Sequence, residues 1–317
     1  MRYPDRRYYD RIASSSGFRA EPLERVFRLA MLLKAIGEEL GDELSLRGGT
    51  ALNLLHLDIP RLSVDIDLGF VGTADADEAK TPRPALMERI DQLARASDYE
   101  VIPERASYAM AHLRMHYDGI GGHPSFIKVD VNFLDRVPVM APEHCLVSHP
   151  FQDDVPAFQV QTLALPELAA AKLIALCRRA LARDLFDAAA LSELGDLKID
   201  EVRTVLVVRG AAYPAPSPAA YEPAVVDRVK KVSWNSEVVA LARRPAPFTL
   251  TQAKSHAADL LAEVLEFGDH HREFLNLLDA GQLRPDVLPL IELHPRISSN
   301  LGLLWRIKVG AETLEER

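Results

Sequence analysis

The chain has 317 residues, 48% apolar and 26% charged, a globular composition that excludes disordered and fibrous classes and suits one large domain or two ordinary ones. No apolar run approaches the roughly 20 residues that span a bilayer, and "MRYPDRRYYDRIASSSGF" lacks the apolar core of a secretory signal. The two cysteines, Cys145 and Cys177, make neither a disulfide framework nor a zinc ligand set, so a cytosolic (cytoplasmic) chain with two ordinary buried thiols and no membrane partner is expected.

"EPLERVFRLAMLLKAIGEEL" spaces its apolar residues as a helix does. "LSLRGG" follows as a short strand ending in a tight glycine turn, and "TALNLLHL" as a short helix with Thr50 as its N-cap. "SVDIDLGF" alternates acid with Val, Ile and Leu, the period of a half-buried strand. "PALMERIDQLARAS" is amphipathic, with Leu86, Ile90 and Leu93 on one stripe. "YAMAHLRMHYDG" and "SFIKVDVNFLD" are alternating strands joined by the turn-rich "GIGGHP", a hairpin. Beyond residue 150 the period becomes helical, in the alanine-rich "LPELAAAKLIALCRRALARDLFDAAALSEL", then "QAKSHAADLLAEVLEF" and "HHREFLNLLDAG". "YPAPSPAAYEP", Tyr213 to Pro223, has too many prolines for regular structure and reads as a linker or exposed loop. An α/β module over residues 1–150 and a mainly helical one over 151–317 are expected.

The chemistry concentrates in the first module. Asp65 and Asp67, two apart on a strand, point to one face, where like charges repel and resist desolvation. A divalent cation between them relieves both costs. "FIKVDVNF" adds Asp130 as a third carboxylate, with Lys128 and Asn132 on its face. Gly48 and Gly49, at a strand-to-helix turn, offer main-chain N–H groups to an anion and let a phosphate approach closely. Arg61 can fork onto phosphate oxygens and Ser63 can donate to them, or both can brace the loop after "LDIP". These groups suit metal-assisted phosphoryl or nucleotidyl transfer.

Lys172 interrupts the apolar run "LAAAKLIAL". On an unbroken helix Arg183 lies about 20° from it in projection and Arg179 a similar angle to the other side, a cationic stripe. A turn before "RDLFD" would instead start a second helix and free Asp184 to face the site. His270 and His271 are read as surface residues.

The Gly-Gly turn, short helix, Asp-x-Asp strand and later Asp together resemble the polymerase β-like nucleotidyltransferase superfamily. Within it, "LRGGTAL…RLSVDIDL" and "LPELAAAKLIALCRRALARDLFDAAAL" are similar to the AbiEii/MenT toxin family, and the closing helices resemble it more loosely. Arg47 stands where many relatives have Lys, and Ala171 precedes Lys172 where Glu is frequent. The resemblance implies an α/β (α+β) fold, a nucleotidyltransferase-type mixed sheet with flanking helices followed by a mainly helical C-terminal domain. It implies Asp65, Asp67 and Asp130 as metal ligands for Mg²⁺, with Mn²⁺ as a substitute, and NTP as substrate. It also implies Lys172 and Asp184 as further catalytic residues, and Arg47, Gly48, Gly49, Thr50, Arg61, Ser63, Lys172 and Arg183 around the nucleotide. Asp187 is read as a residue that caps the helix or pairs locally.

The implied activity is that of a toxin in a toxin–antitoxin pair, moving NMP from an NTP to the 3′ end of tRNA and blocking translation, with a cognate antitoxin as partner. Two alternatives remain: an AMPylating enzyme with a protein hydroxyl as acceptor, and a nucleotide-binding interaction protein without transfer. The formal net charge of −9 requires any RNA contact to be local. Candidates are Arg178, Arg179 and Arg183 in one stretch and Arg228, Lys230 and Lys231 in another.

Overall fold

A computed structural model describes residues 3–72, 75, 82–104, 107–151, 154–213 and 215–315. They form two compact units, one of Met1–Arg136, Pro142–Leu163 and Ser236–Pro247, the other of Val137–Ala141, Ala164–Asn235 and Phe248–Arg317.

The first unit is built on a seven-stranded mixed sheet of β1 (Leu44–Arg47), β2 (Asp65–Phe70), β3 (Glu100–Pro103), β4 (Met110–Asp118), β5 (Pro124–Asn132), β6 (Glu143–Leu146) and β7 (Gln159–Thr162), in the order β3-β4-β5-β2-β1-β7-β6. The central pairs are β2 with β5, parallel, and β1 with β2, antiparallel. Strand alternation sorts the two faces. Leu44, Leu46, Ile66, Leu68, Ile127, Val129, Val131, Leu113 and Met115 make one buried face. The helix α2 (Ala20–Leu40), which follows α1 (Arg6–Ser16), contacts this sheet, and its buried side includes Val26, Leu29, Leu33 and Ile36. The opposite face is polar and half-buried, carrying Asp65, Asp67, Lys128, Asp130, His112 and Arg114.

Several details differ from the sequence reading. Helix α3 (Gly48–Leu55) starts at Gly48, so Thr50 sits inside the first turn and does not cap it. Its hydroxyl instead bonds Ser63 Oγ at 2.8 Å and the Asp65 carbonyl at 2.5 Å. On α4 (Arg83–Ala96) the buried positions are Leu86, Ile90 and Ala94, an i, i+4, i+8 line, and Leu93 lies at its half-buried edge. A return segment braces the loop before β2: the Leu62 N–H donates to the Leu241 carbonyl at 2.8 Å and the Arg243 N–H to the Pro60 carbonyl at 3.0 Å.

The second unit is helical, with α5 (Leu165–Arg179), α6 (Ala182–Ser192), α7 (Ile199–Ala211), α8 (Leu250–Val264), α9 (Asp269–Asp279) and α10 (Leu301–Glu315). Glu167, fully buried, ties residues 137–141 to this unit by accepting from the N–H groups of Val139 and Met140 and from Arg209. The Pro-rich stretch is no linker: Pro218 and Tyr221 are buried and Pro218–Ala220 forms a 3-10 turn, while Pro214 lies outside the described residues. Among the described residues no helix is long and apolar enough to cross a membrane.

Candidate active site

The sheet unit presents the candidate site on its polar face. Parallel pairing sets Asp65 opposite Lys128 and Asp67 opposite Asp130, and the β4–β5 hairpin sets His112 opposite Asp130. Asp130 is therefore held from two sides, by His112 Nδ1 at 2.7 Å and Lys128 Nζ at 2.6 Å. Burial pulls the Lys128 pKa down, but the hydrogen bond to Asp130 and the charges of Asp130, Asp65 and Asp67 outweigh it and raise it. Lys128 is thus held as a cation beside the three carboxylates.

The glycine turn abuts this cluster. Gly48 has φ +71°, and a β-carbon there would fall 2.1 Å from Asp67 Oδ2. Only glycine lets the α3 N-terminus approach Asp67 so closely. Arg47, a neighbour of Asp67 in the β1–β2 ladder, lies across Gly69, where a β-carbon would sit 1.9 Å from its Nε. Its guanidinium donates to Asp135 Oδ2 at 2.8 Å and to the Asp135 carbonyl at 2.6 Å. Asn132 shapes the turn that brings Asp135 there, its Oδ1 accepting from the N–H groups of Leu134 and Asp135. Arg61 is buried and donates to the Leu62 carbonyl at 3.1 Å, and Ser63 is buried against Thr50.

All three aspartates offer hard oxygen donors, the chemistry of Mg²⁺ and Mn²⁺. The close Gly48–Asp67 approach and the electronegative face both fit such an ion. Among the described residues, however, the side chains whose ligand atoms all converge within 4.8 Å are His56, Glu143 and Cys145. Asp130 is turned instead onto His112 and Lys128.

The helical unit holds the other expected residues. A break at Ala180, in left-handed backbone with φ 49°, separates α5 from α6, so Lys172 and Arg183 share no continuous helix. Arg183 is exposed, and the projected stripe does not form. The break directs Asp184 to Lys172 at 3.3 Å and to Arg179 at 2.7 Å, and Asp187 lies 2.9 Å from Lys172. Both aspartates are fully buried. Lys172 is thus the cation of an internal ion cluster within this unit.

Strand alternation alone does not single out His112, but the hairpin register does. Counting outward from the "GIGGHP" turn pairs His112 with Asp130 directly. Two further expectations are corrected. His271 is buried rather than on the surface, accepting from the Gly268 N–H at 3.3 Å and lying 3.2 Å from Thr204 Oγ1. Cys145 is only half-buried and has His56 and Glu143 as neighbours, whereas Cys177 is buried as expected.

Asp-x-Asp on a central strand, a third aspartate on the strand paired to it, and a Gly-Gly helix start against the carboxylates form the arrangement expected of a nucleotidyltransferase. Residues 32–286 match the model of the nucleotidyl transferase AbiEii toxin, type IV TA system, and the chain belongs to that family. It is a nucleotidyltransferase toxin of a type IV toxin–antitoxin system, a class that uses an NTP and a divalent metal and implies an antitoxin partner. The fold is similar to MenT4, nucleotidyltransferase toxin Rv2826c from Mycobacterium tuberculosis H37Rv, with TM-score 0.66 and 17% identity over 95% of this chain and 99% of that one. It is also similar to JHP933 from Helicobacter pylori, with TM-score 0.50 and 14% identity over 82% of this chain and 99% of that one. None of the curated proteins matches the chain.

Proposed function

We propose that the protein transfers NMP from an NTP to the 3′ end of tRNA in the cytosol, with Mg²⁺ as its ion, and so stops translation until a cognate antitoxin intervenes. The observation that carries the transfer is the face formed by Asp65, Asp67 and Asp130 beside Gly48. Asp65 and Asp67 would hold the ion, with Asp130 as the third carboxylate, and the ion would supply charge stabilisation at the α-phosphate. Gly48 and Gly49 would receive phosphate oxygens on main-chain N–H groups. His112 and Lys128 fix the Asp130 carboxylate, which keeps the face ordered before substrate arrives. The acceptor hydroxyl forms a bond to the α-phosphorus, the bond to pyrophosphate breaks, and the hydroxyl proton leaves to water.

Lys172 is proposed to compensate triphosphate charge, exchanging part of its ion pairing for phosphate, with Asp184 as its polar partner. Arg47, Thr50, Arg61, Ser63 and Arg183 are secondary candidates for the nucleotide. The first four are already engaged by protein groups in the sheet unit.

Arg228, Lys230 and Lys231 support RNA as acceptor, because all three are exposed within four residues of chain. Arg178 and Arg179 are engaged locally, with the Ala215 carbonyl and with Asp184. A single-stranded end suits a recessed metal site, since its bases are unstacked and its hydroxyl is accessible. The overall charge of −9 favours the second reading, a protein hydroxyl as acceptor.

One experiment separates them: labelled NTPs and Mg²⁺ are supplied with purified tRNA, with the same tRNA after periodate oxidation of its 3′ end, and with total protein. Label on intact tRNA alone is expected. Equal labelling of intact and oxidised tRNA, or label on protein alone, would refute the tRNA assignment. Transfer to tRNA should also decline as salt rises, with a slope set by the few cations involved. Charge reversal at Arg228, Lys230 and Lys231 should raise the KM for tRNA more than that for NTP.

A further inference from the structure

We infer that His56, Glu143 and Cys145 form a second metal site, for Zn²⁺, separate from the aspartate face. Their ligand atoms all lie within 4.8 Å of one another. Donors bound to one tetrahedral Zn²⁺ at about 2.0–2.3 Å are separated by roughly 3.3–3.8 Å, so a contraction of at most about 1.5 Å completes the set.

The backbone places these groups together without reference to any ion. Glu143 and Cys145 are two apart on β6 and so share a face, and β6 is an edge strand of the sheet. Cys145 Sγ lies 3.9 Å from Glu143 Oε1. His56 directly follows the last residue of α3, and its N–H donates to the Leu52 carbonyl at 3.1 Å. The chain leaving β6 is fastened to the same helix end, the Ser148 N–H donating to the Leu54 carbonyl at 2.7 Å.

Donor chemistry selects the ion. One thiolate, one imidazole and one carboxylate form a borderline-soft set that suits Zn²⁺, whereas the aspartate face offers only hard oxygens. Three protein ligands leave a fourth position for water. Glu143 is exposed and the other two half-buried, so the ion has a path from solvent. A cation here also sits at the C-terminus of α3, the negative end of its dipole. The opposite end of that helix is Gly48, about 12 Å away along eight residues. Zn²⁺ would therefore pin α3 to β6 and stiffen the element that abuts Asp67.

The test uses the full chain and Co²⁺ as a spectroscopic substitute. One equivalent should give a thiolate-to-cobalt charge-transfer band in the near ultraviolet, abolished by one equivalent of Zn²⁺ and unaffected by excess Mg²⁺. Cys145→Ser should lose the band, while Cys177→Ser, Asp65→Asn and Asp67→Asn keep it. His56→Gln should weaken Zn²⁺ binding by more than tenfold, since even outer-shell partners of such sites are worth about 10–100-fold. A readout on the unmodified protein guards against misfolded variants: Zn²⁺ should slow alkylation of Cys145 by iodoacetamide, located by peptide mass. A wild-type protein with no thiolate band, a band that survives Cys145→Ser, or Cys145 alkylation indifferent to Zn²⁺ would each overturn the site.

Discussion

Gly48 and Asp67 are fitted to each other: a β-carbon on Gly48 would meet Asp67 Oδ2 at 2.1 Å and Asp67 Cγ at 3.0 Å. Helix start and carboxylate therefore occupy space that only a glycine leaves open. Gly48→Ala adds left-handed strain at φ +71° and forces the carboxylate aside. The stability loss should be roughly 1–3 kcal/mol, the scale of such strained positions. Transfer should fall further than stability implies, by about 100-fold for a displacement near 1 Å at the reacting site. Urea unfolding and initial rates at saturating NTP give the two numbers. Near-normal transfer in a folded Gly48→Ala protein would show that the close approach has no catalytic part.

Asp65→Asn and Asp67→Asn keep side-chain shape and remove charge. If these residues hold the ion, each variant should lose at least about 100-fold in transfer, the equivalent of roughly 3 kcal/mol of charge stabilisation. Thermal stability should hold or rise slightly, because like charges on one strand face no longer repel. Binding of Mn²⁺, followed by the relaxation of water protons, should weaken in parallel. Full activity at matched Mg²⁺ in either variant would remove it from the metal site.

His271 predicts how the helical unit responds to acid. Burial, then the neighbouring charges of His270 and Arg203, lowers its pKa to about 4. Hydrogen bonding agrees: Nδ1 accepts from the Gly268 N–H, so the neutral ring carries its proton on Nε2, toward Thr204. A depressed histidine pKa means that the unfolded chain binds the extra proton first. The associated stability is present above about pH 6.5 and is lost as pH falls toward 4, with an upper bound of roughly 3 kcal/mol. Urea midpoints at pH 7 and pH 5 should differ more in the wild type than in His271→Gln. Equal pH dependence in the two proteins would mean that His271 is not the group responsible.

Much of the sheet unit was legible because strand alternation and turn chemistry are local. The period-2 pattern placed Asp65 and Asp67 on one face, and "GIGGHP" fixed the hairpin that carries Asp130. Register was the missing step, and it would have delivered His112. Other features depend on contacts distant in sequence. His56 and Cys145 lie 89 positions apart, and no spacing rule joins them. The return of residues 236–247 to the loop at Arg61 has no local signature either. In the helical unit, alanine-rich periodicity leaves an unbroken helix and a turn before "RDLFD" both open, since neither Gly nor Pro marks the break at Ala180. That break decides whether Arg183 or Asp184 turns toward Lys172.

Lys172 has a structural part that an activity assay alone would misread. Its ammonium serves two fully buried carboxylates, Asp184 and Asp187, within its own unit. Lys172→Ala removes one partner from a buried ion cluster, which typically costs about 3–5 kcal/mol. The variant should therefore melt well below the wild type, and its loss of transfer would say little about phosphate. Lys172→Met combined with Asp187→Asn removes one charge of each sign and leaves Asp184 with Arg179. This pair should recover most of the lost stability. If Lys172 compensates triphosphate charge, the double variant should remain inactive and bind NTP weakly, because a cation aimed at developing charge is not replaced. Asp187→Asn alone should retain NTP binding, since the lysine is intact. Lys172→Arg should rescue only in part, its planar fork being a poor substitute for a compact ammonium at close range. Thermal unfolding beside NTP titration resolves the two parts. A double variant that folds, binds NTP and turns over normally would make Lys172 a purely structural cation.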